Sequence, residues 1–465
     1  MRTPKLLLWL IAAGITLTGC YTAPPRDEVE QEVSEAVRQQ PPETPEQWAL
    51  ADAGTVQAGW IESFNDPVLT ALVLEAQANN RDLAAAAANV DRAWALARQA
   101  GAALVPDVSL GRSAVRSGGF DDSRPTVTTL NVAAQVSWEA DVWGRVRSSQ
   151  RSAVAGAQAV AADFRSAQES LASATAKAYF SAIEANTQAD IARESVRILE
   201  ETQRLVDVRY ENGMGSSQDV SLARSDLASA RERLVTLDGS IRDALRALEA
   251  LLGRYPGADL KVRETLPVVP PPPPAGLPAD LLQRRPDLVA AERRVAAAFN
   301  ATNQARAARL PTITLTGEVG GVSNSLSDLL SSSNLAWAAG ANLLAPLFDG
   351  GRRREGVTIA TAEQEQALAA FGQAAIGAFN EIETNLDQGT VLQQRIAELE
   401  IAASEAGNAY RIARVRYDEG EEDLLNVLTI QQRGISARSS QSAVERLLLE
   451  QRVNLNLALG GGWTN

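Results

Sequence analysis

The apolar residues of this chain keep two different periods and switch between them in the same order twice. Leu368, Phe371, Ala375, Phe379, Ile382 and Leu386 are spaced 3, 4, 4, 3 and 4 residues apart, the seam of a coiled coil. Leu234, Leu237, Ile241, Leu245, Leu248 and Leu252 repeat that spacing. Ala, Ser, Gln and Asn fill the opposite faces, which suits helices that pack closely or meet water. Two helical stretches of about 65 residues are expected from Arg145 and Arg352, each on the order of 100 Å long. Ahead of each, the period falls to two. Val108 and Leu110 alternate with Ser109 and Gly111; then Leu130, Val132, Ala134, Val136 and Trp138 alternate with Asn131, Ala133, Gln135 and Ser137. Ile313, Leu315 and Val319 alternate with Thr312, Thr314, Thr316 and Glu318, and a partner strand is expected from Leu335 to Phe348. Each set predicts a β-hairpin with one apolar face.

The recurrence is literal. Arg209-Tyr210-Glu211-Asn212-Gly213 returns as Arg416-Tyr417-Asp418-Glu419-Gly420, a shift of 207 residues. The same shift carries Gly144-Arg145 onto Gly351-Arg352, Val220 onto Val427 and Leu252-Gly253 onto Leu459-Gly460. A solenoid repeats every 20–50 residues or so, so this longer period marks a duplicated architectural half. The expected organisation is a first repeat over 59–260 with its hairpin at about 105–143, a proline-rich linker over 261–286, and a second repeat over 287–465 with its hairpin at about 311–349. Asp66-Pro67 predicts a helix start, since Asp66 can accept from free N–H groups and proline loses nothing at the first helical position. That helix is expected to reach about Leu104. Pro267 to Pro274 includes five consecutive prolines, which reads as a stiff spacer.

Composition narrows the chemistry. The net charge of −13 argues against a nucleic-acid partner, because phosphate neutralisation needs clustered Lys and Arg. There is no histidine, and the only cysteine is Cys20. His-based acid–base work, His/Cys metal sites, thiol nucleophiles and disulfides are thereby removed; no catalytic residue, metal or cofactor is expected. Arg2, Lys5 and the apolar run from Leu6 to about Leu17 read as an export signal over 1–19, too short for a transmembrane helix of about 20 residues. The run ends in Leu17-Thr18-Gly19-Cys20, which resembles a bacterial lipobox and makes Cys20 the expected lipid-attachment site. Tyr21 follows where aspartate would favour inner-membrane retention, so delivery to the outer membrane is favoured. Residues 20–58 are expected to be a lipid-anchored tether, extended over 22–47, which is acidic and carries Pro24, Pro25, Pro41, Pro42 and Pro45.

Four strands with a lipid-compatible face cannot close a barrel alone, and open edges in a bilayer leave backbone groups unpaired. Two copies would give eight strands and a filled interior; three would give twelve and a lumen. Outward Val, Leu, Ile and Trp with inward Thr, Ser, Asn, Gln and Glu318 fit a water-filled barrel. A soluble hairpin packed on a helix is the alternative.

Gly59-Trp60-Ile61-Glu62-Ser63-Phe64-Asn65-Asp66-Pro67-Val68-Leu69, followed by Asn80-Arg81-Asp82-Leu83, resembles the opening of the outer-membrane efflux lipoproteins, relatives of the TolC channel. Leu277-Pro278-Ala279-Asp280-Leu281-Leu282-Gln283-Arg284-Arg285-Pro286-Asp287-Leu288 is similar to that family's junction segment, and Pro346-Leu347-Phe348-Asp349-Gly350-Gly351 to its strand-to-helix turn. The likeness covers nearly all of the mature chain. It implies an α+β membrane protein: a homotrimer with a twelve-stranded outer-membrane β-barrel continued by a twelve-helix coiled-coil tunnel. It also implies partners, namely a periplasmic adaptor and an inner-membrane transporter, often of the resistance-nodulation-division type. The chain would then be the passive exit duct of a tripartite efflux pump.

The turns at Gly213 and Gly420 are expected at the periplasmic tip, where glycine suits a helix terminus with positive φ. Arg209, Tyr210 and Arg416 flank these turns, either as gate residues or as capping and packing. The resemblance places a gate aspartate at Asp219, paired with Tyr417. It also shows departures: Glu422 stands where the family has arginine, and Asn426 and Thr429 stand where it has constricting aspartates. Glu419, Glu421, Glu422 and Asp423 form an acidic cluster instead, either a solvated tip or, in three copies, a ring contacting cations or a basic adaptor. Two other readings are a structural or adhesive coiled-coil lipoprotein without conductance and a carboxylate-dependent envelope hydrolase. The latter lacks an isolated acidic pair in an aromatic cleft.

Overall fold

The computed structural model describes residues 21–41, 48, 59–120, 125–276 and 278–461. They form two compact units, and each unit draws on both repeats. The elements, in order, are α1 (Arg26–Arg38), a 3-10 turn (Trp60–Phe64), α2 (Pro67–Asn79), α3 (Arg81–Ala102), β1 (Asp107–Ser117), β2 (Val127–Glu139), α4 (Arg145–Glu211), α5 (Ser217–Leu251), α6 (Pro278–Arg284), α7 (Pro286–Ala307), β3 (Thr312–Ser323), β4 (Leu335–Leu344), α8 (Arg352–Glu419) and α9 (Leu424–Ala458). The long helices hold 67 and 68 residues. The duplication survives at backbone level: α4 and α8, and likewise α5 and α9, begin 207 residues apart.

Among the described residues, one unit contains 21–41, 89–161 and 290–373. Its centre is a four-stranded antiparallel sheet in the order β1-β2-β3-β4. Register puts the alternations on common faces. Leu110 pairs with Ala134, Ala134 with Val319 and Val319 with Trp337, all on one side. Ser109, Gln135, Glu318 and Ala338 line up on the other. β1 and β4 are edges with one ladder partner each, and both are exposed along their whole length. Large apolar side chains on the first face stand in the open, Leu110 at 78% and Trp337 at 80% exposure. A sheet that ends folding with this much apolar surface bare has not completed its burial. The strands are shorter than expected at one end: β4 stops at Leu344 rather than Phe348, because Pro346 has no N–H to give a ladder.

The expected tether is corrected where the structure describes it. Residues 26–38 are helical, with Val29, Val33 and Val37 buried at a spacing of four. That stripe was present in the sequence but masked by the prolines before it. Pro25 precedes the helix rather than interrupting it, and Asp27 and Glu28 fall in the first turn, where acids suit the dipole. The segment is tied down by Ala23 N–H donating to the Trp143 carbonyl at 2.9 Å, Arg151 donating to the Pro24 carbonyl at 2.9 Å and Tyr21 hydroxyl donating to Asn303 at 2.9 Å.

The other unit contains the described residues within 42–88, 162–289 and 374–461. Asp66 caps α2 as expected, accepting from Val68 and Leu69 N–H at 3.0 and 3.3 Å. It is buried and also accepts from the Tyr179 hydroxyl at 3.0 Å and Arg263 at 3.1 Å. The helix expected to run from Pro67 to Leu104 is broken at Asn80. Asn80 accepts from Leu83 N–H at 3.0 Å and donates to the Leu251 carbonyl at 3.1 Å; a side chain that competes for backbone partners starts a new helix there. Trp60, Phe64, Phe180, Ile183 and Leu248 form one core, and Leu281, Ile382, Leu386 and Leu455 another. The proline segment is no free spacer. Leu266 and Val269 pack on the first core, and buried Arg452 donates to the Pro270 carbonyl at 3.0 Å. Glu249 accepts from Ala258, Asp259 and Leu260 N–H at 2.7–2.9 Å, pinning the start of the strap.

Candidate functional site: the helical tip

The tip lies within the second unit, where α4 turns into α5 and α8 into α9. Both turns are Schellman motifs. Gly213 N–H donates to the Tyr210 carbonyl at 3.0 Å and Met214 N–H to the Arg209 carbonyl at 2.8 Å; Gly420 N–H donates to Tyr417 and Glu421 N–H to Arg416 at 3.0 and 2.9 Å. The two glycines have φ of 74° and 83°, the left-handed region that a Cβ disfavours. Beneath them Leu199, Val206, Val220, Ala223, Tyr417, Leu424 and Val427 form one buried cluster.

After each turn a side chain caps the next helix. Ser216 and Asp219 make a reciprocal capping box: Asp219 N–H donates to Ser216 Oγ at 3.1 Å and Ser216 N–H to Asp219 Oδ2 at 3.2 Å. At the position one repeat later, Asp423 caps α9 by accepting from Leu425 N–H at 2.6 Å. Ser216-x-x-Asp219 was readable as a capping box in the sequence; Asp423, grouped there with the acidic cluster, also serves backbone geometry.

The arginines break the symmetry. Arg209 donates to the Tyr417 carbonyl at 2.7 Å, and its guanidinium carbon lies 4.7 Å from the Tyr417 ring centroid. A residue of the first repeat thus gives a second donor to a carbonyl at the end of the second repeat's long helix, which already accepts from Gly420 N–H. Its counterpart Arg416 turns to the acidic cluster instead, 3.8 Å from Glu421 and 3.7 Å from Glu422. Two of the four tip acids therefore have a cation at hand, while Glu419 is exposed and makes none of these contacts. The tyrosines differ as well: Tyr417 is buried, whereas Tyr210 is half-exposed at 49%.

Within one chain no hydrogen bond joins Asp219 to Tyr417 among the described residues; each has the partners just given. They do interact electrostatically. Burial pushes the Tyr417 hydroxyl up, Arg209 opposes the shift and the Asp219 charge reinforces it. Asn426 and Thr429 are exposed, and Thr429 donates back to the Leu425 carbonyl at 2.7 Å. Next to the tip, α4, α5 and α9 leave a cavity of about 690 Å³ lined by Asp226, Arg233, Leu428 and Gln431. Burial raises the Asp226 carboxyl above its ordinary value. Nothing in the spacing of apolar residues announced this cavity. Cys20 lies outside the described residues, and no helix among those described is long and apolar enough to cross a membrane.

The chain resembles proteins of known name over almost its whole length. It is 33% identical to the pyoverdine export outer membrane protein OpmQ of Pseudomonas putida, covering 90% of this chain and 92% of that one. It is 33% identical to the toluene efflux pump outer membrane protein TtgF, also of Pseudomonas putida, covering 98% and 96%. Among solved structures, the open state of the Neisseria gonorrhoeae MtrE outer membrane channel superposes with a TM-score of 0.84 at 26% identity, covering 96% and 99%. The outer membrane efflux protein family matches residues 72–254 and 277–461, two segments that each carry one copy of the tip turn. The chain belongs to the outer membrane efflux protein family.

Proposed function

We propose that this chain is one of three that together form the outer-membrane exit duct of a tripartite efflux pump. The observation that carries the reading is the open four-stranded sheet. It has one apolar and one polar face, bare apolar side chains and two unpaired edges. In a bilayer every backbone group must find a partner, so the edges demand closure by further copies. Three copies supply twelve strands and a lumen, and the polar face with Glu318 then lines water. The long helices supply the walls of a periplasmic tunnel, and the tip is its gate. The chain has no nucleotide-binding loop, so energy comes from partners: a periplasmic adaptor and an inner-membrane transporter, of resistance-nodulation-division type by family resemblance. Lipidation at Cys20 would add an anchor beside α1. OpmQ and TtgF carry different cargoes in their names, and the cargo of this chain follows its pump.

Heat-modifiable migration tests the assembly. In mild detergent the unheated protein should run as a trimer on a gel and collapse to monomer on boiling. A monomer before heating would support a coiled-coil envelope lipoprotein instead.

A further inference from the structure

The cavity beside the tip holds a polar group that the fold leaves unanswered. Gln431 on α9 is 5% exposed, yet neither its amide oxygen nor its amide nitrogen has a hydrogen-bond partner among the described residues. A buried carboxamide left unpaired is costly, and the first repeat has no counterpart to it. The 207-residue shift carries Arg224 onto Gln431, and Arg224 is exposed and pairs with Asp207 at 3.2 Å. The same shift carries Asp226 onto Arg433. Equivalent positions of α5 and α9 thus put a carboxylate and a guanidinium on the lining of one cavity of about 690 Å³. Neither forms an ion pair among the described residues, and burial alone raises the Asp226 carboxyl, with no cation opposing the shift. Glu232 and Arg233 also line the cavity, so acids and bases balance there. That balance suits a zwitterion better than a net cation or anion. Ile191, Leu199 and Leu428, all buried, supply apolar wall. A peptide group carries one N–H and one C=O, the complement of the Gln431 amide. In a free dipeptide that group lies between an ammonium and a carboxylate.

We propose that this cavity binds a short zwitterionic peptide with apolar side chains. Its ammonium meets Asp226, its peptide group Gln431 and its carboxylate Arg433, while its side chains lie against Ile191, Leu199 and Leu428. The site lies within one chain and one unit, so it stands whether or not three copies close a pore. Isothermal titration of the full-length protein in detergent with leucyl-leucine tests it. The unmodified protein should give saturable binding. N-acetyl-leucyl-leucinamide keeps the side chains and the peptide group but lacks both charges, and it should bind roughly tenfold more weakly or worse. D226N and R433Q should each weaken leucyl-leucine roughly tenfold, the cost of one charge-assisted hydrogen bond. Q431L should weaken it by about as much while keeping or raising Tm, because it removes an unpaired buried amide; lost binding is then not lost folding. No saturable heat from leucyl-leucine up to about 10 mM would mean that the cavity holds water alone. Equal affinity for the capped peptide, or unchanged affinity in all three variants, would make it an apolar hole. Either result overturns the site.

Discussion

Arg209 and Tyr417 join the two repeats at their tips: one guanidinium both caps the last turn of α8 and covers the tyrosine ring, 2.7 Å from the carbonyl and 4.7 Å from the ring centroid. The mirror-image contact, Arg416 to Tyr210, is not made among the described residues, because Arg416 faces Glu421 and Glu422. The first repeat thus holds the second, and the second holds its own acids.

Arg209→Ala should loosen the tip by about 2 kcal/mol, the sum expected for one charge-assisted hydrogen bond and an exposed cation–π contact. Hydrogen exchange at the last turn of α8 should speed up, and resting conductance in planar bilayers should rise. Arg209→Lys should restore only part of each, since an ammonium cannot fork.

Asp219 has two candidate jobs, capping α5 and latching the gate, and a pair of variants separates them. Asp219→Ala should raise resting conductance. Ser216→Ala removes the same reciprocal cap, at about 1 kcal/mol, but leaves the carboxylate beside Tyr417. Equal leakage in both variants would assign Asp219 to capping alone.

Neutralising the acids of the second tip should reduce cation preference. Glu421→Gln with Glu422→Gln removes two of the four carboxylates and frees Arg416, so the tip loses most of its net negative charge, and reversal potentials in a salt gradient should shift toward weaker cation selectivity. Asp423 should be changed to Asn rather than Ala, because Asn keeps an N-cap acceptor. Unmoved reversal potentials, with adaptor affinity also unchanged, would make the cluster a solvated surface.

Glu169 gives a pH prediction. Burial, reinforced by the Asp287 charge and opposed by Arg285, pushes its carboxyl up to about 7. A carboxyl raised in the folded state binds more protons than the unfolded chain between its ordinary value and about 7, so stability falls as pH rises through that window. Glu169→Gln should therefore raise Tm by a few degrees at pH 8 and leave it unchanged at pH 4, read by calorimetry.

Much of this fold could be read from periodicity. The strand faces, the two long helices and the 207-residue echo were visible because each side chain's burial follows its position in a regular element. The seam from Phe371 to Leu386 is buried or half-buried in the structure. What escaped were features decided by single side chains or distant contacts. Asn80 splits a helix by one hydrogen bond; Val29, Val33 and Val37 hide a helix behind prolines; the proline segment acquires its role only once Arg452 and Glu249 grip it. At the tip, the turn glycines and Asp219 were legible as residues, but the partner of Arg209 lies 208 positions away. No local pattern can specify which of two equivalent arginines will take it.

The central claim is that copies of this chain close into a conducting pore. Single-channel recording of the purified protein in planar bilayers is the direct test. Discrete openings of small resting conductance are expected, and they should increase in Asp219→Ala. A trimeric preparation that inserts into the bilayer yet passes no current, with or without that substitution, would contradict it.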